Sequence, residues 1–360
     1  MLRRVQFWIG SACIACLLCS LAGLADTSVR PVIDHQDDRT YCTQVADALA
    51  QATASVDLLL SNAELEENPL WESLTAAHAR GVRVRVLLDE SDWSASITAR
   101  NRPAIEFLRA AGVDARFDDP AVTTHAKLAI IDRTIVILGS SNWNRYALTE
   151  QEQANVRIDD ERVGVVFGDW FDRLWTMRNP GTLEIEAGET LAGPGPRIVA
   201  LPDADGSTVY ASFVLELLAS AQTSVHVVLY RMSIYPSYTD SLANDLARGL
   251  IAAAGRGLDV RVLLDDCSFY ADSASANLTS ALYLYEHGIP VRFDRPSETT
   301  HAKLLIVDGE HAVLGSTNWN YYALERNVEA NVALLGMPRV ATAYEAFFQA
   351  VWRAGREVGR

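Results

Sequence analysis

The chain contains one six-residue sequence twice: Thr-Thr-His-Ala-Lys-Leu occupies 123–128 and again 299–304. In both copies an Asp, a Gly-Ser pair and an Asn-Trp-Asn segment follow at the same spacing, so the repeat extends to Asn144 and Asn320. A repeat of this size that occurs only twice predicts two similar domains related by a pseudo-two-fold axis. One molecule would then hold two imidazoles and two ammonium groups that can surround a single anion.

The sequence around the repeat predicts an α/β fold. The segment 81–89 matches 257–265 at the same offset, and both contain apolar runs of Val and Leu that end in Asp, as expected of buried strands. Helical segments are predicted between such strands at 43–53, 70–80, 210–221 and 241–256. Because strands and helices alternate, each half should be a mixed β-sheet flanked by helices.

The His and Lys of each copy are two positions apart at the start of an apolar run. Residues at this spacing on a strand project to the same face, which applies to His125 with Lys127 and to His301 with Lys303. Polar residues at Asp132 and at Asp308 interrupt the apolar pattern, and a second apolar run follows each of them. Each copy therefore predicts a hairpin, and two such hairpins across the pseudo-dyad would form one pocket.

The first 25 residues have the pattern of a secretory signal peptide. Arg3 and Arg4 precede a long apolar stretch, which ends in small residues at 23–25. This pattern predicts an exported protein, periplasmic or secreted. An uncleaved membrane anchor is the alternative, because the apolar stretch approaches the roughly 20 residues that span a bilayer.

The remaining length fits two domains. We predict a signal peptide or anchor at 1–25, a first domain at 26–178 and a second domain at 201–360. The intervening segment 179–200 is rich in Pro and Gly and has no clear period, so it is predicted to be a linker.

The formal net charge of the chain is -15, and the basic residues of the leader make the rest more acidic still. Such a surface repels polyanions unless basic residues cluster locally. One such cluster is a candidate nucleic-acid groove. Its members are Arg80, Arg83, Arg85, Arg100 and Arg102.

Outside the leader the chain has only two cysteines, Cys42 and Cys267. They are too few, and have no neighbouring Cys or His at ligand spacing, to predict a metal site. Whether they form a disulfide in an oxidising compartment is open at this point.

The repeated residues suit chemistry on a phosphodiester. Ammonium groups and side-chain amides can neutralise and orient the non-bridging oxygens of a tetrahedral anion. One imidazole can attack phosphorus while the other protonates the leaving oxygen and then deprotonates the acceptor. The candidate groups that bind or support the phosphate are Ser140, Asn142, Asn144, Ser316, Asn318 and Asn320.

The two copies resemble the signature of the phospholipase D superfamily, His-x-Lys and a later Asp followed by Gly-Ser and an Asn, apart from the spacing of the Asn. The resemblance implies two tandem phospholipase D-like domains and a covalent phosphohistidine intermediate formed without a metal or another cofactor. It makes His125 and His301 the nucleophile and the general acid, with His125 favoured as nucleophile. It makes Lys127 and Lys303 phosphate ligands. The family Asn corresponds to Asn142 or Asn144 in the first copy and to Asn318 or Asn320 in the second, and the signature Asp, here Asp132 and Asp308, is structural.

The copies differ downstream of the motif, where Glu329 in the second half aligns with Gln153 in the first. A carboxylate beside an imidazole fixes its tautomer and stabilises its cationic form, whereas an amide does the second hardly at all. The two histidines are therefore predicted to be inequivalent. Which histidine Glu329 contacts is open, since it can reach across the dyad.

The substrate class is less constrained than the chemistry. Export and the acidic composition favour a phospholipid headgroup, with aromatic residues after the strands, at 93, 230–238 and 269–270, as candidate pocket lips. An exported non-specific endonuclease is the main alternative, because small members of the family include such enzymes. Headgroup transfer to an alcohol and an inactive binding module are minor alternatives. Contact with a membrane surface and with nucleic acid both remain open, and a monomer suffices without an obligate protein partner because one chain supplies both motifs.

Overall fold

The computed structural model describes residues 28–91, 94–176, 195–268 and 270–358. It contains two mixed β-sheets flanked by helices, which confirms the predicted α/β class. The predicted leader, most of the predicted linker, and Trp93 and Phe269 lie outside the described residues.

The first half forms a seven-stranded sheet with strand order β1-β7-β6-β5-β2-β3-β4. Strands β2, β3 and β4 are parallel to one another. Strand β5 pairs with β2, and β6, β7 and β1 follow in that order, each antiparallel to its neighbour. Its elements in chain order are β1 Ser28–Asp34, α1 Tyr41–Gln51, β2 Ser55–Leu60, α2 Leu70–Ala79, β3 Arg83–Leu88, α3 Ala95–Ala110, β4 Asp114–Phe117, β5 Lys127–Ile131, β6 Ile135–Gly139, α4 Arg145–Thr149, β7 Gln153–Asp159 and α5 Glu161–Thr176.

The second half repeats this arrangement in an eight-stranded sheet of order β15-β11-β10-β9-β12-β13-β14-β8. Strands β9, β10 and β11 are parallel, and β12, β13, β14 and β8 continue the sheet as antiparallel partners. Its elements are β8 Arg197–Asp203, α6 Val209–Ser220, β9 Ser224–Leu229, α7 Leu242–Gly255, β10 Asp259–Leu264, α8 Ala271–Glu286, β11 Val291–Phe293, β12 Lys303–Val307, β13 His311–Gly315, α9 Tyr321–Glu325, β14 Glu329–Leu335, α10 Pro338–Ala354 and β15 Arg356–Glu357.

The predicted helices match α1, α2, α6 and α7 to within a few residues, and the predicted hairpins are β5–β6 and β12–β13. The predicted linker is too long at its end, because β8 begins at Arg197, inside 179–200. Strand β8 pairs along its whole length with β14 at the edge of the second sheet, so backbone pairing defines it although its sequence carries a Pro.

The signature Asp of each copy lies at a hairpin turn. The carboxylate of Asp132 accepts hydrogen bonds from the backbone N–H groups of Thr53, Ala54 and Ser55 at 2.7–2.8 Å. Asp308 binds the N–H groups of the corresponding residues 222–224 in the same way. Both turns are at the end of the sheet away from the His-Lys segments, so these carboxylates connect the hairpin to the chain that enters β2 or β9.

The two halves share a core that lies between their sheets. Aromatic side chains of α5, including Phe167 and Trp170, and of α10, including Tyr344 and Phe348, are buried there against strands of both halves. The phenol of Tyr344 also donates a hydrogen bond to the backbone carbonyl of Asn155 in the first half at 2.7 Å. None of the helices in the described ranges has the length and apolarity needed to cross a membrane.

Candidate active site

The two His-Lys segments lie where the halves meet, beside the carboxyl ends of the central parallel strands. Lys127 pairs with Leu60 at the end of β2, and Lys303 pairs with Leu229 at the end of β9. In sheets with parallel strands this end is the usual place for ligand binding. The fold therefore directs both repeated motifs to one location.

Each histidine is held by the backbone of the opposite half. The N–H of His125 donates to the carbonyl of Val328 at 2.9 Å, and the N–H of Val328 donates to Thr123 at 2.8 Å. The symmetry-related contacts join His301 and Thr299 to Glu152 at 2.9 and 2.8 Å. The chain just before β14 thus supports the first histidine, and the chain just before β7 supports the second.

The imidazole of His125 contacts Glu329, the carboxylate whose histidine partner the sequence left open. Its Nδ1 lies 3.0 and 3.1 Å from the two oxygens of Glu329. Glu329 is fully buried and also accepts hydrogen bonds from the hydroxyl of Ser316 and from Nδ2 of Asn327. Because a carboxylate accepts hydrogen bonds, Nδ1 carries the proton and Nε2 keeps its lone pair for the pocket.

The imidazole of His301 has neutral partners in the same positions. Its Nδ1 lies 3.0 Å from the backbone carbonyl of Ser140 and 3.3 Å from Oε1 of Gln153. The hydroxyl of Ser140 donates to the same Oε1 at 2.7 Å. The hydroxyls of Ser140 and Ser316 therefore hold Gln153 and Glu329 in place.

The lysines are buried with their ammonium groups next to the histidine backbone. Lys127 and Lys303 are each 1% exposed, and their Nζ atoms donate to the carbonyls of His125 and His301. Burial lowers the pKa of Lys127 to about 7, and burial together with the charge of Lys127 lowers the pKa of Lys303 well below its ordinary value. A bound anion would offset this mutual repulsion, so the pocket has the electrostatics of an anion site.

The two histidines differ in their titration. Burial lowers the pKa of His125, and the charge of Glu329 opposes this effect. Burial, followed by the charges of Lys303, Lys127 and His125, lowers the pKa of His301 well below its ordinary value. For Glu329 burial raises the pKa, but His125 and Lys127 outweigh it, so the carboxylate stays ionised.

The structure distinguishes the two candidate asparagines of each copy. Asn144 and Asn320 cap helices α4 and α9, because their Oδ1 atoms accept from the N–H of Ala147 at 2.8 Å and of Ala323 at 3.0 Å. The Oδ1 atoms of Asn142 and Asn318 are buried and have no hydrogen-bond partner among the described residues. Capping fixes the side chains of Asn144 and Asn320, whereas Asn142 and Asn318 cap no helix, so Asn142 and Asn318 are the candidates for an amide N–H contact to phosphate.

Tyr230 lies against the second histidine only. Its ring centroid is 4.7 Å from that of His301, and Nζ of Lys303 is 5.0 Å from the same ring. The first half has Ser61 at this position, directly after β2. The pocket is consequently apolar on one side, which adds to the inequivalence of the two histidines.

Paired aspartates behind the motifs were not identified from the sequence. Asp89 accepts the N–H of Thr124 at 2.7 Å, and burial raises its pKa to about 6 and that of neighbouring Asp118 to about 8. The second half repeats the pair as Asp265 and Asp294. Their only sequence signal was the Asp at the end of each repeated strand. Because they hold the chain just before each histidine, we assign them a positioning role.

Among the described residues, three carboxylates are close enough together to be considered as metal ligands, and they belong to this second pair with Asp266. Asp265 and Asp294 already accept the N–H of Thr300 at 2.7 and 2.9 Å, and Asp266 faces Arg356. The hydrogen bonds of this cluster are those of a structural support.

Most arginines of the proposed groove have local partners. Nε of Arg85 is 2.7 Å from Asp57 and its Nη2 is 2.7 Å from Asp172, while Arg83 also approaches Asp57. Arg80 instead donates to backbone carbonyls at the end of α1. Nη2 of Arg102 is 3.9 Å from Glu90, so among the described residues Arg100 alone of the five has no such partner, and one cation does not form a track for nucleic acid. Cys42 and Cys267 are both free thiols.

Comparison with known proteins supports the family inferred from the motifs. A family model described as "Cardiolipin synthase, PLD-like domain" matches residues 45–175 and 214–352. Mitochondrial cardiolipin hydrolase of Homo sapiens is 34% identical over 133 residues, which are 37% of this chain and 50% of that protein. Cardiolipin synthase A of Shigella flexneri is 26% identical over 307 residues, 73% of this chain and 57% of that protein. The chain thus spans about half the length of the curated relatives it matches.

Among solved structures, phosphatidylserine synthase of Haemophilus influenzae has the same architecture. Its TM-score is 0.69, with 13% identity, and the match covers 92% of this chain and 87% of that one. At this identity the likeness shows the fold. The two-sheet arrangement described above is therefore a known one.

Proposed function

The chain belongs to the phospholipase D-like domain family, and we propose that it is a phosphodiesterase that uses a covalent phosphohistidine intermediate, without a metal, on phospholipid headgroups. The observation that carries the proposal is the meeting of the two motifs between the halves, where each imidazole is hydrogen-bonded by a residue of the opposite half and both lysines are buried beside the histidine backbone. The lysines supply the positive charge that stabilises a phosphoryl transition state. The different partners of the two imidazoles then assign their roles.

His125 is the nucleophile in this mechanism. Its Nδ1–H faces Glu329, so the Nε2 lone pair is directed to the pocket. Attack of Nε2 on phosphorus forms the P–N bond and leaves the imidazole cationic. The buried carboxylate of Glu329 stabilises that cation, which the amide at Gln153 does not.

His301 is the general acid and then the general base. Its low pKa leaves it neutral in the free enzyme, but a bound phosphodiester anion raises the pKa and favours its protonated form. The protonated imidazole gives its proton to the leaving alcohol oxygen as the P–O bond breaks. The neutral imidazole then takes a proton from water, whose oxygen attacks phosphorus and displaces Nε2 of His125.

The two lysines and the two asparagines that do not cap a helix hold the phosphate. Lys127 and Lys303 contribute charge at the non-bridging oxygens, and Asn142 and Asn318, whose side chains no helix cap fixes, contribute N–H donors through Nδ2. These groups stay fixed through both steps because the strands and turns that carry them are buried. Binding is therefore preorganised for the anionic transition state.

Phospholipid is favoured over nucleic acid as the substrate by the charge of the molecule. The net charge is -15, and four of the five arginines of the candidate groove pair with carboxylates or backbone carbonyls. Relatives of the chain include a cardiolipin hydrolase and a cardiolipin synthase, which suits the same substrate class. We further propose export through the N-terminal signal, which would bring the enzyme to a membrane face outside the cytoplasm.

The first test measures phosphodiester cleavage in EDTA. Purified protein is assayed against phosphatidylcholine and phosphatidylglycerol vesicles, and in parallel against plasmid and single-stranded DNA. His125→Ala and His301→Ala should each abolish headgroup release. His287→Ala is the matched control, because this exposed histidine caps the end of α8 outside the site and should leave the rate unchanged.

Each other result has a defined meaning. DNA cleavage with the same dependence on both histidines would assign a nuclease in place of a lipase. Activity that requires added divalent metal would contradict the metal-free mechanism. Full activity of either single variant would contradict the shared site, and formation of a new headgroup ester when alcohol is added would identify transfer.

A further inference from the structure

A group of tyrosines follows β9, β10 and β13, at the edge of the second sheet where His301 and Lys303 lie. We call it the tyrosine lip, and its members are Tyr235, Tyr238, Tyr270, Tyr321 and Tyr322. Tyr238 and Tyr322 are each 67% exposed, Tyr270 is 61% exposed and Tyr321 is 41% exposed. Among the described residues, one further tyrosine, Tyr285, is comparably exposed. Solvent-exposed tyrosine is therefore concentrated at this edge of the second sheet.

The members of the lip contact one another. The ring centroids of Tyr235 and Tyr238 are 6.3 Å apart, and those of Tyr321 and Tyr322 are 5.3 Å apart. The N–H of Tyr321 donates to the phenol oxygen of Tyr235 at 3.1 Å, which joins the two pairs. Four tyrosines thus form one continuous surface.

The lip adjoins the catalytic groups. Tyr321 begins the helix that directly follows Asn318 and its neighbours, and Tyr235 ends the segment that starts at Tyr230, the residue against His301. On the other side the N–H of Tyr270 donates to the carbonyl of Cys267 at 2.8 Å, and Sγ of Cys267 donates to the carbonyl of Tyr230 at 3.5 Å, so Tyr270 is connected to Tyr230 through Cys267. The exposed rings therefore continue outward from the ring that lines the pocket.

The first half does not repeat this surface. The residues at the positions of Tyr321, Tyr235 and Tyr270 are Arg145, Glu66 and Ser94. Tyr322 corresponds to Tyr146, which is half-buried and whose hydroxyl bonds to that of Thr299. The connection that holds Tyr238 is also longer than its counterpart between β2 and α2. A core requirement common to both halves thus does not explain the lip.

We propose that the tyrosine lip inserts into the interfacial zone of a phospholipid bilayer and places the pocket against the headgroup layer. This inference rests on the proposed lipid substrate and adds how the enzyme reaches it. Tyrosine combines an apolar ring with a polar hydroxyl and is enriched at the membrane–water interface for that reason. An acidic protein gains little from lipid charge, so apolar insertion is the available source of binding energy.

The charges around the lip disfavour the other ligand that aromatic rings attract. Base stacking by single-stranded nucleic acid is accompanied by a basic groove that follows the phosphates. Arg326, which directly follows the helix that begins at Tyr321, pairs instead with Asp205 at 3.1 Å. Arg231 has no such partner among the described residues, but one cation does not form a track.

The test compares a lip variant with a matched control on the full chain. The variant carries Tyr238→Ser, Tyr270→Ser and Tyr322→Ser together. The control is Tyr285→Ser, which removes a tyrosine that is 55% exposed on α8, beside Gly288 and Ile289 before the amino end of β11. Binding is measured by co-sedimentation with phosphatidylcholine vesicles, and hydrolysis with the same vesicles and with soluble bis(p-nitrophenyl) phosphate.

The lip variant should bind vesicles about tenfold or more weakly than wild type, with a parallel loss of vesicle hydrolysis, because three rings no longer leave water. Its rate on the soluble diester should stay within about twofold of wild type, which also shows that it is folded. The Tyr285→Ser control should match wild type in every assay.

Two results would overturn the inference: vesicle binding by the lip variant equal to wild type, or no vesicle binding by wild type. Loss of binding to a single-stranded oligonucleotide, with vesicle binding unchanged, would assign the lip to nucleic acid. Failure of the lipid substrate is distinguishable, since wild type would then bind vesicles through the lip, cleave the soluble diester and leave the lipid intact.

Discussion

At the scale of single residues, the decisive difference between the halves is the partner of each histidine. Glu329 gives His125 a buried carboxylate, and Gln153 gives His301 an amide and a backbone carbonyl. Both partners fix the same tautomer. Only the first also stabilises a cationic imidazole, so the two histidines differ chemically, as the proposed roles of nucleophile and general acid require.

The first residue prediction concerns the carboxylate. Glu329→Gln should lower kcat on a soluble diester about a hundredfold or more, because the cationic phosphohistidine loses its counter-charge. Glu345→Gln is the matched control, since Glu345 lies 2.9–3.0 Å from Nδ1 of His226, away from the pocket. Equal kcat values for the two variants would contradict the assigned role of Glu329.

The reciprocal substitution, Gln153→Glu, should shift the pH dependence of kcat. Gln153→Glu places a carboxylate beside His301, which raises its pKa and keeps the general acid protonated to higher pH. The alkaline decline of kcat should therefore shift upward relative to wild type, which a pH profile on the soluble diester measures. A downward shift, or none, would show that His301 is not the acid.

The pair of His35 and Glu152 was not identified from the sequence, where His35 had no motif around it. Nδ1 of His35 contacts the buried carboxylate of Glu152, which raises the pKa of His35, and Glu152 holds the backbone of His301. At the corresponding positions the second half has the apolar Ala204 and Val328. The distance of 117 residues between the partners explains why no local pattern revealed them.

This pair predicts a pH-dependent contribution to stability. The raised pKa means that the contribution is complete below the unfolded-state value near 6.5 and is lost as pH rises through the higher folded-state value. His35→Gln should lower the free energy of unfolding by about 1 kcal/mol more at pH 5.5 than at pH 9. Urea unfolding at both pH values measures this, and a larger loss at pH 9 would contradict it.

At the scale of elements, the hairpin turn is the clearest case of a residue that shapes the site from a distance. Asp132 binds three consecutive N–H groups at the start of β2 and lies outside the pocket. Burial raises its pKa, but these hydrogen bonds outweigh burial and hold the pKa below its ordinary value. The stabilisation is present above the unfolded-state pKa and is lost as pH falls through the folded-state pKa.

Asp132→Asn should therefore reduce the free energy of unfolding at pH 7 by about 2 kcal/mol while kcat changes little. Chemical denaturation and the soluble-diester assay measure the two effects. Asp119→Asn is a suitable control, because its carboxylate only caps a short turn on another loop. A large fall in kcat with unchanged stability would instead place Asp132 in the catalytic machinery.

The sequence predicted the elements that carry strong local patterns and failed where pairing or packing decides. The hairpins and the helices at 70–80 and 241–256 have clear apolar periodicity and were placed correctly. The start of β8 was assigned to the linker, because backbone pairing with β14 defines this strand and sequence reasoning could not see that pairing. The choice between Asn142 and Asn144 also needed the structure, since only the short helix α4 shows which one is its cap.

At the scale of the whole molecule, the acidic charge should govern how the enzyme meets different membranes. Binding to neutral phosphatidylcholine vesicles through the tyrosine lip should change little with salt. Binding to phosphatidylglycerol vesicles should strengthen as salt rises from low to physiological concentration, because screening reduces the repulsion between two negative surfaces. Sedimentation at several salt concentrations measures both, and binding that weakens with salt would contradict the prediction.

The backbone hydrogen bonds between each histidine and the chain just before β14 or β7 of the other half couple the two copies of the repeat. A change at 152 or 153 in the first copy acts on the histidine of the second, and a change at 328 or 329 acts on the histidine of the first. After the duplication, a single substitution in one copy could therefore specialise the other. The properties of each histidine therefore depend on residues of the other copy.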